Sequence, residues 1–216
     1  MKKHLCILLY LIGMASSLTA QKTAVYIHPF FGALTADHQE LAILPFDVTL
    51  ELRPREGEKV SAEKIQQLAE KEGLEIQNTL YGFFLKKSVQ KDLTVTVQDI
   101  VTTNALLAKQ GITRENIHAY TPQEVAKLLK VDGVIMGNLL SSKPMSEDAA
   151  VFIGVVTGFY GSINSGKCTV KVYDAKTDAL LWRYEKKLSR GLGSGTQTII
   201  TAIMRRVIWD FPFREA

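Results

Sequence analysis

The spacing of apolar residues predicts most of the elements of this chain. LAILPFDV, residues 41–48, is a short apolar run that suits a buried strand, weakened at Pro45, which has no N–H to pair. The charged segment ELRPREGEK, 51–59, is broken by Pro54 and Gly57 and reads as a loop. From Ser61 a helical period begins: Ile65, Leu68, Ala69, Ile76, Leu80, Phe83 and Phe84 share a face, with Gly73 as a kink point. LTVTV, 93–97, alternates as a strand does.

Local chemistry marks the next boundaries. Asp99 caps the helix that runs to Gln110, and Gly111 closes it. Thr121-Pro122-Gln123-Glu124 has the residues of a capping box with proline at the first helical position. That helix ends at Val131-Asp132-Gly133, and VIMGNLL, 134–140, is apolar enough for the sheet centre. Cys168, Val170 and Val172 alternate with polar residues, DAKTD supplies a turn, and Leu180, Trp182 and Tyr184 share the face of a returning strand. A last helix carries Ile199, Ile200, Ile203, Val207 and Ile208 as a stripe, with Arg205 and Arg206 outside it. The expected fold is one α/β domain over 41–211. It has a mixed sheet of about five strands flanked by helices, in the order β-α-β-α-α-β-β-β-α. Residues 21–40 show no sustained period and read as an N-terminal arm pinned by Tyr26, Phe30 and Phe31, and 212–216 as a tail.

One stretch departs from this pattern. AAVFIGVVTGFYGSI, 149–163, lies in an apolar insert, 147–166, with no charge between Asp148 and Lys167. It is short of the ~20 residues of a membrane-spanning helix, and VFIGVV lacks the alternation of an outer-membrane strand. Gly154 and Gly158 have the spacing that lets another backbone approach closely. A contact surface and an internal filling segment both satisfy that pattern. The interaction residues expected on the first reading are Phe152, Gly154, Gly158, Phe159, Tyr160 and Gly161, joined by the C-terminal aromatics Trp209, Phe211 and Phe213, although the favoured reading of the tail WDFPFREA is that it folds back on the sheet.

Composition narrows location and chemistry. Lys2 and Lys3, the apolar run Leu5–Ile12 and the small-residue exit at Leu18-Thr19-Ala20 form a secretory signal pattern, 1–20, with cleavage expected after Ala20. Losing two lysines lowers the formal charge of +4 by two, and no arginine-rich stripe points to nucleic acid. Cys168 would then be the single cysteine, so the expected exported domain has no internal disulfide. His28, His38 and His118 lack the paired spacing of a metal site, so no metal or other cofactor is expected. RGLGSGTQT, 190–198, resembles an anion-binding turn but lacks the phosphate-loop lysine, and a flexible turn into a capped helix is the favoured reading. No nucleophile elbow is present, and Asp47, Glu51, Asp99 and Asp132 sit at caps or turns, so no catalytic set is assigned.

LAILPF opening a strand, then TPQEVAKLLKVDGVIMGNL, then VKVYDAKTDALLW resembles the curli-secretion channel (CsgG) family. Penicillin-binding-protein activator lipoproteins and the N-terminal domain of TolB look related in fold. The resemblance spans roughly 41–210 and implies a non-enzymatic, exported protein of the periplasm or outer-membrane periplasmic face. Such a protein works by self-association or by binding another envelope protein, with peripheral membrane contact. This chain departs from the family in having no cysteine at the expected cleavage point and one apolar stretch where the channel has two membrane hairpins. From another class, the alternative is a periplasmic small-molecule-binding protein or hydrolase using the glycine-rich loop 190–196.

Overall fold

The computed structural model describes residues 23–53, 61–144, 165–189 and 196–214. The signal pattern, the insert 149–163 and the glycine-rich loop 190–195 lie outside them.

The sheet grows around the apolar segment 133–144. This strand, β5 (Gly133–Pro144), pairs antiparallel with β6 (Ser165–Asp174), and β6 pairs in the same sense with β7 (Leu180–Ser189). On its other side β5 meets two strands in succession. β2 (Glu40–Ile43) runs parallel to its first residues, and β3 (Asp47–Arg53) runs parallel to the rest. The run 41–48, expected as one strand, is therefore two. Pro45 cannot donate to a ladder, and Phe46 turns its N–H to the carbonyl of Gly73 at 3.3 Å. β3 also extends to Arg53, into the segment expected as a loop.

The largest departure from expectation is at the N-terminus. Residues 23–27 form β1 (Thr23–Ile27), which pairs antiparallel with β7, and α1 (Phe31–Thr35) follows. The described sheet has seven strands, in the order β1-β7-β6-β5-β2-β4, with β3 beside β5. The stretch 93–97 is strand only at β4 (Thr96–Val97), at the far edge.

Helices cover both faces, as a mixed sheet with long crossovers requires. On one face lie α2 (Ala62–Val89) and α5 (Thr196–Trp209), which bury Leu68, Ile76, Leu80, Phe84, Ile200, Ile203 and Val207 against Ile135, Val170, Val172, Trp182 and Tyr184. On the other lie α3 (Ile100–Lys109) and α4 (Pro122–Leu129), closing Leu107, Val125 and Leu129 over Ala42, Leu44 and Val134. The expected caps form, with Asp99 accepting from Val101 N and Thr102 N and Thr121 with Glu124 completing the capping box, and Ser61 also caps its helix by accepting from Lys64 N. α4 stops one residue earlier than its sequence implies, because Lys130 turns left-handed at φ 59°.

Gly73 does not kink α2, which is continuous over 28 residues. It is small so that the backbone of Phe46 can reach the helix, and a Cβ there would overlap the Phe46 carbonyl oxygen. The ring of Phe46 in turn fills the space above Gly137 on β5. Two glycines and one phenylalanine thus lock the strand break to the helix. Among the described residues no helix is long and apolar enough to cross a membrane.

Candidate interaction surface

The C-terminal aromatics separate by helical geometry. Val207 and Ile208 face the core, and the next residue, Trp209, swings outward and is 58% exposed. Its ring is flanked by Arg214 at 5.2 Å and Lys87 at 5.9 Å, a cation–π arrangement. Phe211 and Phe213, named among the contact residues, are buried, as the reading of a tail folded back on the sheet requires. After Asp210 the chain turns back, and Phe211 meets Phe84 edge-on at 4.9 Å and Trp182 at 5.6 Å. Phe213 meets Phe31 at 4.9 Å. They complete the aromatic core under β7 and are not available to a partner. The other six expected contact residues lie outside the described region.

The segment expected to be pinned by aromatics is pinned by one. Phe31 packs on Phe213, but Tyr26 is exposed and Phe30 is 70% exposed. All five residues of β1 are exposed, Val25 by 46% and Ile27 by 51%. The helices that bury Trp182 and Tyr184 do not reach one strand further, so Val25 and Ile27, opposite those residues, stay uncovered.

The backbone of β1 is equally open. His28 N donates to the Leu181 carbonyl at 2.8 Å, which fixes the alternation of the ladder. Ala24, Tyr26 and His28 turn their peptide groups to β7, and Thr23, Val25 and Ile27 turn theirs away. No described strand lies on that side. Natural edges are blunted by lysine, proline, bulges or a covering loop, and TAVYI carries none of the first three. Sequence reasoning missed this surface because five residues beside Pro29 carry too little pattern; the β-branched and aromatic content of TAVYI was the available signal.

A second opening lies at the other end of the molecule. Pro45, Phe46, Leu74, Leu107, Ile112 and Ile117 line a cleft of about 400 Å³ between the strand break, α2 and the loop after α3. Its rim is polar. Arg114 donates to Asp47 at 3.1 Å and to the Val48 carbonyl at 2.5 Å, on the outer edge of β3. His118 stands 4.0 Å from the same Asp47 carboxylate. Hydrogen bonds from the Thr113 hydroxyl, its own backbone N–H and Gln66 hold the Glu115 carboxyl down to about 2.

The remaining polar groups serve the frame. His38, expected in an irregular arm, is buried, and its Nε2 donates to Asp174 Oδ1 at 2.9 Å. Asp174 Oδ2 accepts from the backbone N–H and hydroxyl of Thr177 and so closes the β6–β7 turn. Among the described residues His38 Nδ1 meets no hydrogen-bond partner that would make this pair a relay, and the Thr177 hydroxyl is held by the carboxylate itself. Burial pushes the Cys168 thiol up to about 12, which makes it unreactive. Asp99 is engaged as a helix cap, away from the cleft lining. Among the described residues no group of three or more His, Cys, Asp and Glu is placed to hold a metal ion.

No protein-family model matches the chain, and no curated protein matches it. Solved structures similar to it include a PelC dodecamer from Paraburkholderia phytofirmans, at 10% identity and TM-score 0.43, covering 87% of this chain and 94% of that one. Lipoprotein GNA1162 from Neisseria meningitidis is similar at 10% identity and TM-score 0.41, covering 80% and 99%. The LpoB C-terminal domain from Salmonella enterica is similar at 10% identity and TM-score 0.32, covering 75% and 94%. Likeness at this level brings no partner, oligomer or activity to this chain.

Proposed function

We propose that this chain is a non-enzymatic, exported envelope protein that acts by binding and assembly, and that the outer edge of β1 is a surface through which it binds. One observation carries the reading: an apolar edge strand, exposed along all five residues, with its outward N–H and C=O groups facing no described strand. Such an edge is a ready template for another strand, since main-chain hydrogen bonds supply affinity and alternate side chains supply selectivity. The signal pattern at 1–20 supports export, and the insert 149–163 and exposed Trp209 supply further apolar contact area on the same reading. Association with the outer membrane belongs to this proposal through the family resemblance.

The edge can be blocked without harming the sheet. Val25→Pro removes an outward N–H and sets a ring on the open side, while Ala24, Tyr26 and His28 keep their bonds to β7. Crosslinking in intact cells, followed by size separation, should show wild type in a complex larger than the chain and Val25→Pro largely as the free chain. A wild type found only as the free chain would sink the reading. N-terminal sequencing of the exported form should begin at Gln21.

The cleft beside Asp47 favours a second reading, a small-molecule-binding protein, although at a different place from the loop 190–196. An apolar lining with Asp47, Glu70 and Glu115 outnumbering Arg114 suits an aliphatic amine. Octylamine should raise the melting temperature of wild type and not of Leu74→Lys; equal responses would remove this reading.

A further inference from the structure

The partner that best fits the open edge of β1 is the same edge of a second copy. We infer that two copies pair antiparallel through β1, with Val25 opposite Val25 of the partner subunit, so that two seven-stranded sheets join across a two-fold axis. This rests on the reading of β1 as a binding surface and names its occupant.

The register follows from the alternation. Thr23, Val25 and Ile27 are the residues whose peptide groups point away from β7. A two-fold axis must bring outward-facing residues opposite one another, which allows five registers within this strand, and those centred on Thr23 or Ile27 form a single hydrogen-bonded pair. Centring on Val25 uses all three residues of each copy and forms three hydrogen-bonded pairs: Val25 with Val25 of the partner subunit, and Thr23 with Ile27 of the partner subunit, twice. Centring on Ala24 or on Tyr26 forms two such pairs. The register centred on Val25 therefore uses all three available pairs, where those centred on Ala24 or Tyr26 use two of the three. It also sets β-branched side chains against one another on one face and Ala24 against Tyr26 of the partner subunit on the other, pairings that sheets favour. No charge lies within 23–27, so the two-fold axis brings no like charges together in the strand.

The opposite end of the sheet is a poorer acceptor. β4 offers two residues, and on the outer edge of β3 the Val48 carbonyl is already taken by Arg114. A head-to-tail chain of β1 on β3 would have to displace that guanidinium and its bond to Asp47. Pairing of like edges closes on itself and leaves no open strand at the joint. A five-residue edge covers less than the ~1,200 Å² of a standard interface, so the dimer fraction should rise with concentration rather than be complete at all concentrations.

Single cysteines map the register in the full chain carrying Cys6→Ser, where the remaining Cys168 is buried and unreactive. Hydrogen-bonded antiparallel partners stand ~5.5 Å apart at Cα, inside the range a disulfide can bridge. Val25→Cys should yield a covalent dimer on mild oxidation, at least tenfold more than Ala24→Cys or Tyr26→Cys. Covalent dimer led by Ala24→Cys or Tyr26→Cys would overturn the register, and no covalent dimer from any of the three would overturn self-pairing. Sedimentation of Val25→Pro, without any added cysteine, should show monomer at concentrations where wild type is dimeric, with a melting temperature equal to that of wild type at dilutions where wild type is monomeric. If self-pairing fails while the complex in cells is still lost in Val25→Pro, the edge binds a different protein and only this inference falls. If that complex also survives Val25→Pro, the binding reading of β1 falls with it.

Discussion

Asp174 joins two parts of the frame that are distant in sequence. One carboxylate oxygen holds the turn between β6 and β7, and the other holds His38 in the segment before β2. Burial alone would push the pKa of its carboxyl up, but hydrogen bonds from the Thr177 side chain and backbone, from the His38 ring and from the Lys176 backbone outweigh burial and hold it below its usual range. A depressed folded value contributes stability that is present above the ordinary carboxylate value, ~3.9, and is lost as pH falls through the folded value. Asp174→Asn should therefore lower stability at neutral pH by about 1.5–3 kcal/mol, as for hydrogen bonds to a charged group. Urea unfolding should show the gap between wild type and variant narrowing below about pH 4. A gap independent of pH would mean that the carboxylate charge is not what the site uses.

The contacts of Phe46 give a second expectation at this scale. Alanine in place of glycine inside an exposed helix gains about 1 kcal/mol. At Gly73 the gain is outweighed, because the added Cβ meets the Phe46 carbonyl oxygen, a backbone atom that cannot swing aside. Overpacking of this kind costs about 1–3 kcal/mol, so Gly73→Ala should lower the melting temperature. Gly82, with open space at its Cβ position on the same helix, is the control and should gain on the same substitution.

Elements whose causes are local were legible in the sequence. Asp99 and Thr121 each cap the helix they precede, because a cap needs only the next three residues. The β6–β7 hairpin was legible for the same reason, through DAKTD and the alternation beside it. What stayed hidden depends on partners far along the chain. β1 is a strand because β7, more than 150 residues later, offers it a ladder. Phe211 and Phe213 could be named as contact residues because nothing nearby in sequence shows the space between α2 and β7 that they fill. The cleft draws its lining from three separated segments, and none of them has a motif. At element boundaries one choice can be improved. Lys130 ends α4 in the left-handed region, which costs a side-chain-bearing residue roughly 1–2 kcal/mol and glycine nothing. The greater freedom of glycine in the unfolded chain offsets about 0.5–1 kcal/mol of that. Lys130→Gly should thus raise the urea midpoint by an amount worth about 0.5–1 kcal/mol with an unchanged slope.

For the whole molecule, the sheet has two unlike ends. At one end the helices cover the strand break, Arg114 caps the neighbouring edge, and the opening that remains is a cleft for something small. At the other end β1 lies beyond the reach of α2 and α5, is exposed along all five residues, and turns its outward peptide groups toward no described strand. Charge sits elsewhere: Arg183, Glu185 and Lys167 form an ion cluster on the adjoining face, and Lys87 and Arg214 flank Trp209. Salt therefore distinguishes the surfaces. At about 1 M ionic strength the screening length falls to ~3 Å, which weakens exposed ion pairs but leaves main-chain hydrogen bonds and apolar burial in place. An assembly built on β1 should keep its sedimentation coefficient when salt is raised to about 1 M. One built on the Lys167–Glu185–Arg183 face should dissociate, and dissociation would move the interface from the edge of the sheet to its open face.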